Sequence, residues 1–423
     1  MKSQTFRYIL GLLIAVLIGY YLGTTKIAFQ YANYHPQLNI TSKEPPSGLT
    51  NLDLTNFWAV LDKVQTMYYD KKAISSQKLL DGAISGMVGS LGDPYTMYLP
   101  PIQNDDFKTN LAGKFEGIGA ELGMKDKNII VVAPLDGSPA QKAGVKAGDI
   151  ILKVDTVSTS GWTLGQTVEK IRGDKGTKVT LSLLSKGAAT PKDVTITRDQ
   201  ITVKSVIGWV KKLSEIENID KKAIVGHEND KVGYIRLSQF GDNTNEEWVE
   251  VANMIATEKQ KGGMKGIVLD VRNNPGGYLT DAVYIASEFI KSGAVVLQDD
   301  GTGNQKSLDV SRAGNLTDVP VIVLINKGSA SASEILSGAL RDHNRAKLLG
   351  ENSFGKGTVQ QAIELGEGTG LHVTVAKWLT PNGTWVGNGK DGTGLKPDIV
   401  VSLDEKDLTH DTQLEKAVQT LVQ

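Results

Sequence analysis

The sequence predicts a mixed α/β, multidomain protein: an N-terminal apolar anchor, a helical segment, a β-rich unit and a layered α/β core. Three observations predict it. The chain has 423 residues, more than the roughly 100–200 of one domain. Beyond residue 201, short apolar runs of strand type alternate with amphipathic helical stretches. Glycine, at 46, far outnumbers proline, at 13, which suits many tight turns in a folded chain. Hydrophobic residues make up 40% and charged residues 22%, enough apolar material for a real core. With 46 basic and 47 acidic side chains the net charge is −1; a nucleic acid-gripping protein would carry a basic excess. There is no cysteine, which excludes disulfides, cysteine zinc sites, iron–sulfur clusters and thiol catalysis. His35, His227, His343, His372 and His410 lack the i, i+4 spacing of a helical metal site.

The elements follow in order. Residues 1–25 hold Lys2 and Arg7 ahead of an uncharged run from Tyr8 to Thr25, at about 1.5 Å per residue roughly 27 Å long and just able to span a bilayer. It reads as a transmembrane anchor or a secretory signal, with the bulky Tyr20-Tyr21 end favouring the anchor. The basic flank precedes the span, so the remainder is expected outside the cytoplasm. Residues 26–50, with Pro36, Pro45, Pro46, Ser47 and Gly48, read as a linker. In residues 51–103, Phe57, Val60, Leu61, Val64 and Met67 recur at helical spacing, as do Leu79, Leu80, Ile84, Met87, Val88 and Leu91. This helical pair is small enough to need a partner surface on the body or on a second subunit.

Residues 104–200 read as a β-rich unit. Gly117 and Gly119 bracket Ile118, freeing backbone N–H groups to face an anion such as a peptide's terminal carboxylate; an ordinary glycine-rich hairpin is the alternative. The run Pro139-Ala140-x-x-Ala143-Gly144-Val145-x-x-Gly148-Asp149 follows, and the segment resembles a PDZ domain of the permuted kind found in bacterial envelope proteases. Residues 201–423 carry strands at Val232–Arg236, Gly266–Val271, Val319–Ile325 and Ala346–Leu349. Helices fall at Asn245–Lys259, Thr280–Ile290, Ala332–Leu340 and Thr412–Val422.

Three segments end strands of this core with small or polar residues, where α/β folds place their sites. Asn273-Asn274-Pro275-Gly276-Gly277 forms either a structural turn or a turn whose N–H groups stabilise an oxyanion. In Asn326-Lys327-Gly328-Ser329-Ala330-Ser331-Ala332-Ser333-Glu334, a serine opens a helix where the dipole favours negative charge. Ser331 and Glu334 also have capping-box spacing, and Ser329 and Ser333 compete for any catalytic role. Ser353-Phe354-Gly355-Lys356-Gly357 completes G-x-x-x-x-G-K, but Gly357 stands where a phosphate loop needs Ser or Thr, and a strand follows in place of a helix. A partly dry Lys356 would have a lowered pKa and could accept a proton from a serine. His343 lies about 18 Å along the helix from Ser331 and is out of reach, as is Asp342; spacing does not exclude His372.

Taken together, several motifs resemble the carboxy-terminal processing, or tail-specific, proteases. They are Leu91-Gly-Asp-Pro-Tyr-Thr96, Phe115–Glu121, Ile171-Arg-Gly-x-x-Gly-Thr177, Asp270–Gly277, Asn326–Ile335, Ser353–Gln360, Thr380-Pro-x-Gly383 and Gly394–Asp398. The likeness runs from about Leu52 to the C-terminus. It implies a serine endopeptidase with a Ser–Lys dyad: Ser331 as nucleophile, Lys356 as general base and Gln360 orienting that base. It further implies an oxyanion hole from Ala332 and Gly277, or Gly276. The PDZ loop Gly117-Ile118-Gly119 would receive substrate C-termini, and Arg172 would couple binding to the active site. Protein substrates with exposed tails, a membrane anchor and a homodimer through the N-terminal helices are the implied partners, with no nucleic acid. The stretch Val386–Asp398 is longer than the family's usual link. A non-catalytic PDZ scaffold in which Ser331 only caps a helix is the rival expectation.

Overall fold

A computed structural model describes residues 27–32, 35–40 and 53–423, apart from 126–127, 136, 147, 163, 186, 388–392 and 403–409. The apolar run Tyr8–Thr25 lies outside the described residues, as does the middle of the long link before Gly394. Among the described residues no helix is long and apolar enough to cross a membrane. The chain divides into two compact units, up to Leu80 and from Asp81 onward.

In the first unit, β1 (Ile27–Ala32) and β2 (His35–Ile40) pair as an antiparallel hairpin inside the segment expected to be a linker. Alternation of Ile27, Phe29 and Tyr31 suits a pleated strand better than an extended spacer. Helices α1 (Thr55–Met67) and α2 (Ser76–Gly89) take up the predicted periodicity, α2 crossing into the second unit. No residue of α1 is buried, and Trp58, Val60 and Met67 are largely exposed.

The second unit opens with β3 (Met97–Leu99) and α3 (Pro101–Leu111), the latter starting on a proline, which suits a first helical turn. Then β4 (Lys114–Gly117) leads into the β-rich unit. This comprises β5 (Ala120–Lys125), β6 (Asn128–Pro134), the short α4 (Pro139–Lys142), β7 (Ile150–Val154) and β8 (Val157–Ser158). Helix α5 (Leu164–Ile171), β9 (Lys178–Leu184) and β10 (Lys192–Thr197) complete it. Its sheet runs β10-β9-β7-β6-β5 over a core that includes Ile118, Val131, Ile151, Ile171, Leu181 and Ile196. The chain leaves through β11 (Asp199–Thr202), which pairs antiparallel with β4.

The layered core adds β12 (Val206–Lys212), β13 (Lys231–Leu237), α6 (Thr244–Gln260), β14 (Met264–Asp270), α7 (Leu279–Ala286), β15 (Ala294–Asp299), β16 (Gln305–Asp309) and β17 (Val321–Ile325). After these come α8 (Ala332–Asp342), β18 (Ala346–Gly350), β19 (Thr358–Gly366), β20 (Thr369–Leu379), β21 (Ile399–Val400) and α9 (Thr412–Val422). The main sheet has the order β12-β13-β14-β17-β18-β21, with β13 to β21 parallel. Its central strands are apolar throughout because both faces are covered. Ile267, Leu269, Val321, Val323 and Ile325 point into one cluster with Trp248, Phe289 and Leu336. The alternate residues Val268, Ile322 and Leu324 point into another with Leu414 and Val418 of α9. A second sheet, β16-β15-β20-β19, also takes β3 on β20. The helical segment expected to end at 103 therefore contributes a strand to the core.

At the end of β14 the carboxylate of Asp270, almost fully buried, accepts from Arg236 at 2.8 Å, Tyr234 at 2.8 Å and Arg272 at 2.6–3.1 Å. Arg272 also reaches Asp411 at 2.8 and 3.0 Å and Gln413 at 3.0 Å, tying α9 to this strand. Burial alone would raise the Asp270 carboxyl, but the two guanidinium groups outweigh it and hold it below the usual range. A depressed carboxylate stabilises the fold above its unfolded pKa, and that stabilisation is lost as pH falls through the folded value. Asp270→Ala, which takes a buried carboxylate from two half-buried arginines, is expected to cost about 3–5 kcal/mol in urea unfolding; a loss below about 1 kcal/mol contradicts this reading.

Candidate functional site

Strand order brings together the three segments singled out in the sequence. Strands β14, β17 and β18 are parallel neighbours, so Asn273–Gly277, Asn326–Ser331 and Gly350–Lys356 all emerge at the same end of the sheet. Reciprocal side-chain contacts fasten the first two: Asn326 Oδ1 accepts from the Asn273 N–H, and Asn326 Nδ2 donates to Asn273 Oδ1, both at 2.8 Å. The Ala330 N–H donates to the Asn274 carbonyl at 2.9 Å.

The three competing serines have different surroundings. Ser329 is fully buried and donates to the Val271 carbonyl at 2.8 Å. Ser333 is equally buried and donates to Asn274 and Ala330 carbonyls at 3.0 and 2.8 Å. Ser331 is part-exposed, stands at the N-cap of α8 in a capping box with Glu334, and has φ 56° and ψ −116°. Positive φ at a serine is an uncommon, strained conformation that folds retain mainly at functional positions. The neighbouring turn accommodates it through glycine. A Cβ on Gly276 would lie 2.8 Å from both Ser331 Cβ and the Ala330 carbonyl, and Gly276 itself has φ 99°.

Capping-box spacing at Ser331 and Glu334 turns out to serve more than the helix end. Glu334 is fully buried. Its Oε2 accepts from the Ser331 N–H at 2.8 Å and the Lys356 N–H at 2.9 Å. Its Oε1 accepts from Ser353 Oγ at 2.6 Å and the Gly355 N–H at 2.7 Å. Ser353 Oγ also accepts from the Leu395 N–H at 2.6 Å. Burial pushes the Glu334 carboxyl up, while its four hydrogen-bond donors favour the anion and oppose that shift.

The Lys356 backbone is held on its other side as well. Trp378 Nε1 donates to the Lys356 carbonyl at 2.8 Å and Trp385 Nε1 to the Gly357 carbonyl at 2.9 Å. A Cβ on Gly357 would meet the Trp385 indole nitrogen at 2.4 Å, which accounts for glycine where a phosphate loop would need a hydroxyl. The Lys356 amine makes no hydrogen bond to any described residue and sits 4.8 Å from the centroid of the Tyr95 ring. Burial pushes it below lysine's ordinary pKa, against the opposing charges of Asp93 and Glu334.

Other expected residues are placed as follows. Neither the Gly277 N–H nor the Ala332 N–H has a partner among the described residues, whereas the Gly276 N–H is engaged by Asn274 Oδ1 at 2.9 Å; of the two glycines, only Gly277 has a free donor. Gln360 Nε2 donates to Thr358 at 2.8 Å and Thr374 at 3.1 Å, and no hydrogen bond joins it to Lys356. Ile118 is buried in the β-rich unit, and Gly119 has φ 72°. A Cβ at Gly119 would lie 2.5 Å from Ser138 Cβ. The Gly117 strand faces Arg172, whose guanidinium lies 5.0 Å over the Phe115 ring. His343 Nε2 meets the Ala294 carbonyl at 2.7 Å and Asp342 accepts from the Asn382 N–H at 3.0 Å, both away from Ser331. His372 is buried edge-on to Phe107 at 4.4 Å; burial first, then the Lys356 charge, keeps it below its ordinary pKa.

Sequence reasoning assigned no site role to Asp93, Tyr95 or Thr96 and gave Glu334 only a cap. The three-residue spacing from Ser331 was the sole signal for Glu334, and it is common to ordinary helix starts. Glu334→Gln replaces one acceptor with an amide facing two donors; kcat for peptide hydrolysis is expected to fall about 10²-fold from misplacement of the two loops. A kcat within twofold of the unaltered protein contradicts this.

Comparisons with known proteins agree with this architecture. Residues 231–401 match peptidase family S41, residues 130–184 a PDZ domain, and residues 13–101 the activating protease CtpB N-terminal domain. A carboxy-terminal-processing protease of Bartonella bacilliformis is 40% identical over 372 residues, 86% of this chain and 79% of that protein. The carboxy-terminal processing protease CtpB of Bacillus subtilis is 38% identical over 347 residues, 81% and 68% of the two chains. Among solved structures, a photosystem II D1 C-terminal processing protease superposes with a TM-score of 0.51 at 31% identity, covering 86% of this chain and 90% of that one. The chain therefore belongs to the carboxy-terminal processing proteases of peptidase family S41 and is a serine-type peptidase carrying a PDZ domain.

Proposed function

We propose that the chain is an endopeptidase that captures protein C-termini through its PDZ domain and cuts near them with a Ser331–Lys356 dyad. One observation carries the reading: a single buried carboxylate oxygen joins the backbones of Ser331 and Lys356, and burial pushes the amine so placed below lysine's ordinary pKa. In the cleavage step neutral Lys356 takes the Ser331 hydroxyl proton as Oγ attacks a peptide carbonyl. The new ammonium returns that proton to the leaving amine as the peptide C–N bond breaks, and water then hydrolyses the acyl-enzyme. Ala332 and Gly277 donate their free N–H groups to the oxyanion, supported by the Gly276 N–H being taken elsewhere. No metal or other cofactor takes part.

The amides of Ile118 and Gly119 donate to no described residue, which supports the loop Gly117–Gly119 as the receiver of the terminal carboxylate. Arg172, stacked on Phe115 at the start of that loop, couples occupancy to the core. Residues 8–25 anchor the chain in the membrane with the catalytic part extracytoplasmic, and the unburied apolar face of α1 supports a homodimer through the N-terminal helices. Ser331→Ala and Lys356→Ala are each expected to lower cleavage of a tail-bearing substrate at least about 10³-fold, read by mass spectrometry, with melting temperature and tail-peptide affinity retained. Cleavage persisting in either variant removes the dyad.

A further inference from the structure

The Leu91–Thr96 segment, singled out in the sequence only as a motif of the resemblance, is built into the wall of the lysine pocket. Asp93 caps its own turn: Oδ1 accepts from the Tyr95 N–H at 3.1 Å and Oδ2 from Thr96 Oγ at 2.6 Å. Thr96 is buried, and the same hydroxyl accepts from the Thr374 N–H of β20 at 3.0 Å. Strand β3 continues that attachment, pairing Met97, Tyr98 and Leu99 with His372, Leu371 and Gly370. The Thr374 hydroxyl in turn accepts from Gln360. Between the two pinned residues stands Tyr95, its ring centroid 4.8 Å from Lys356 Nζ.

We propose that Tyr95 is a positioning residue for the Lys356 amine: its ring closes the pocket over Nζ and keeps water from it. The proposal rests on the dyad reading above. Two effects of an aromatic face oppose each other. Its quadrupole favours an ammonium, whereas its bulk removes the waters that would solvate one. Here the second wins, because no described residue accepts a hydrogen bond from Nζ to replace the lost water, and the amine is displaced toward its neutral form despite two nearby carboxylates. The charged and titratable groups around it are Asp93 on the same loop, Glu334 at the start of α8 and His372 on β20. Burial alone would raise Asp93, but donors from Thr374, Thr96 and Tyr95 hold it ionised, while His372 is kept neutral. Tyr95 meets the amine with the face of its ring, and its hydroxyl makes no hydrogen bond to a described residue.

The test is the pH profile of kcat and KM for a fluorogenic peptide with a free C-terminus, measured on the full chain and its variants. Tyr95→Ala is expected to move the acid limb of kcat upward by at least about one pH unit, a tenfold loss near neutrality recovered at high pH, with KM nearly unchanged. Tyr95→Phe keeps the ring and is expected to superpose on the unaltered profile. Thr96→Val, which removes the pin without changing volume, is expected to move the limb the same way by less and serves if the alanine variant does not fold. Unmoved acid limbs in the alanine and valine variants overturn the proposal, as does a phenylalanine variant shifted as far as alanine. Lys356→Ala run alongside separates the two levels of the account. If it is inactive while Tyr95→Ala is unshifted, only the Tyr95 role fails; if it is active, the dyad fails and this proposal with it.

Discussion

The site depends on one buried carboxylate. Glu334 accepts from four donors drawn from two loops that are more than twenty residues apart in sequence, and no water-exposed surface could hold them equivalently. A charged hydrogen bond of this kind is strong because the surroundings are dry. The same anion explains how a strained serine backbone persists: its amide is tied down at 2.8 Å, while Gly276 leaves the room that any side chain would fill. Removing a single acceptor would loosen both the proposed nucleophile and the proposed base.

Much of the fold was legible because its physics is local. Period-two burial on both faces of Ile267–Leu269 and Val321–Ile325 made the central strands readable as continuous apolar runs. The helix expected over Thr280–Ile290 ends at Ala286. There Ser287 turns its hydroxyl to the Val283 carbonyl and accepts from the Ser311 N–H, a long-range contact that helical periodicity does not encode. The attachment of β3 to β20 was hidden for the same reason, since three residues of strand carry little pattern by themselves.

At the site, residue type and spacing narrowed the chemistry but could not choose among Ser329, Ser331 and Ser333; the family resemblance did. The structure supplies a physical criterion: two of these hydroxyls are buried and spent on carbonyls, and one is not. Lys356 was readable as a lysine among glycines, and those glycines prove to make room for Trp385 and Thr393. Gln360 behaves differently from the resemblance, with its amide given to Thr358 and Thr374. What no pattern disclosed was the ring beside the amine, because Tyr95 lies over 250 residues before Lys356 and reaches it only through tertiary pairing.

All of this converges on whether one amine is neutral when the protein works. Burial lowers its affinity for a proton, Asp93 and Glu334 raise it, and the balance falls on the side of burial. The direct measurement is an NMR titration of the Lys356 side-chain Cε resonance in the folded chain, assigned by its absence from Lys356→Met. The account predicts a midpoint well below that of the surface lysines in the same spectrum. A midpoint that coincides with theirs would contradict it.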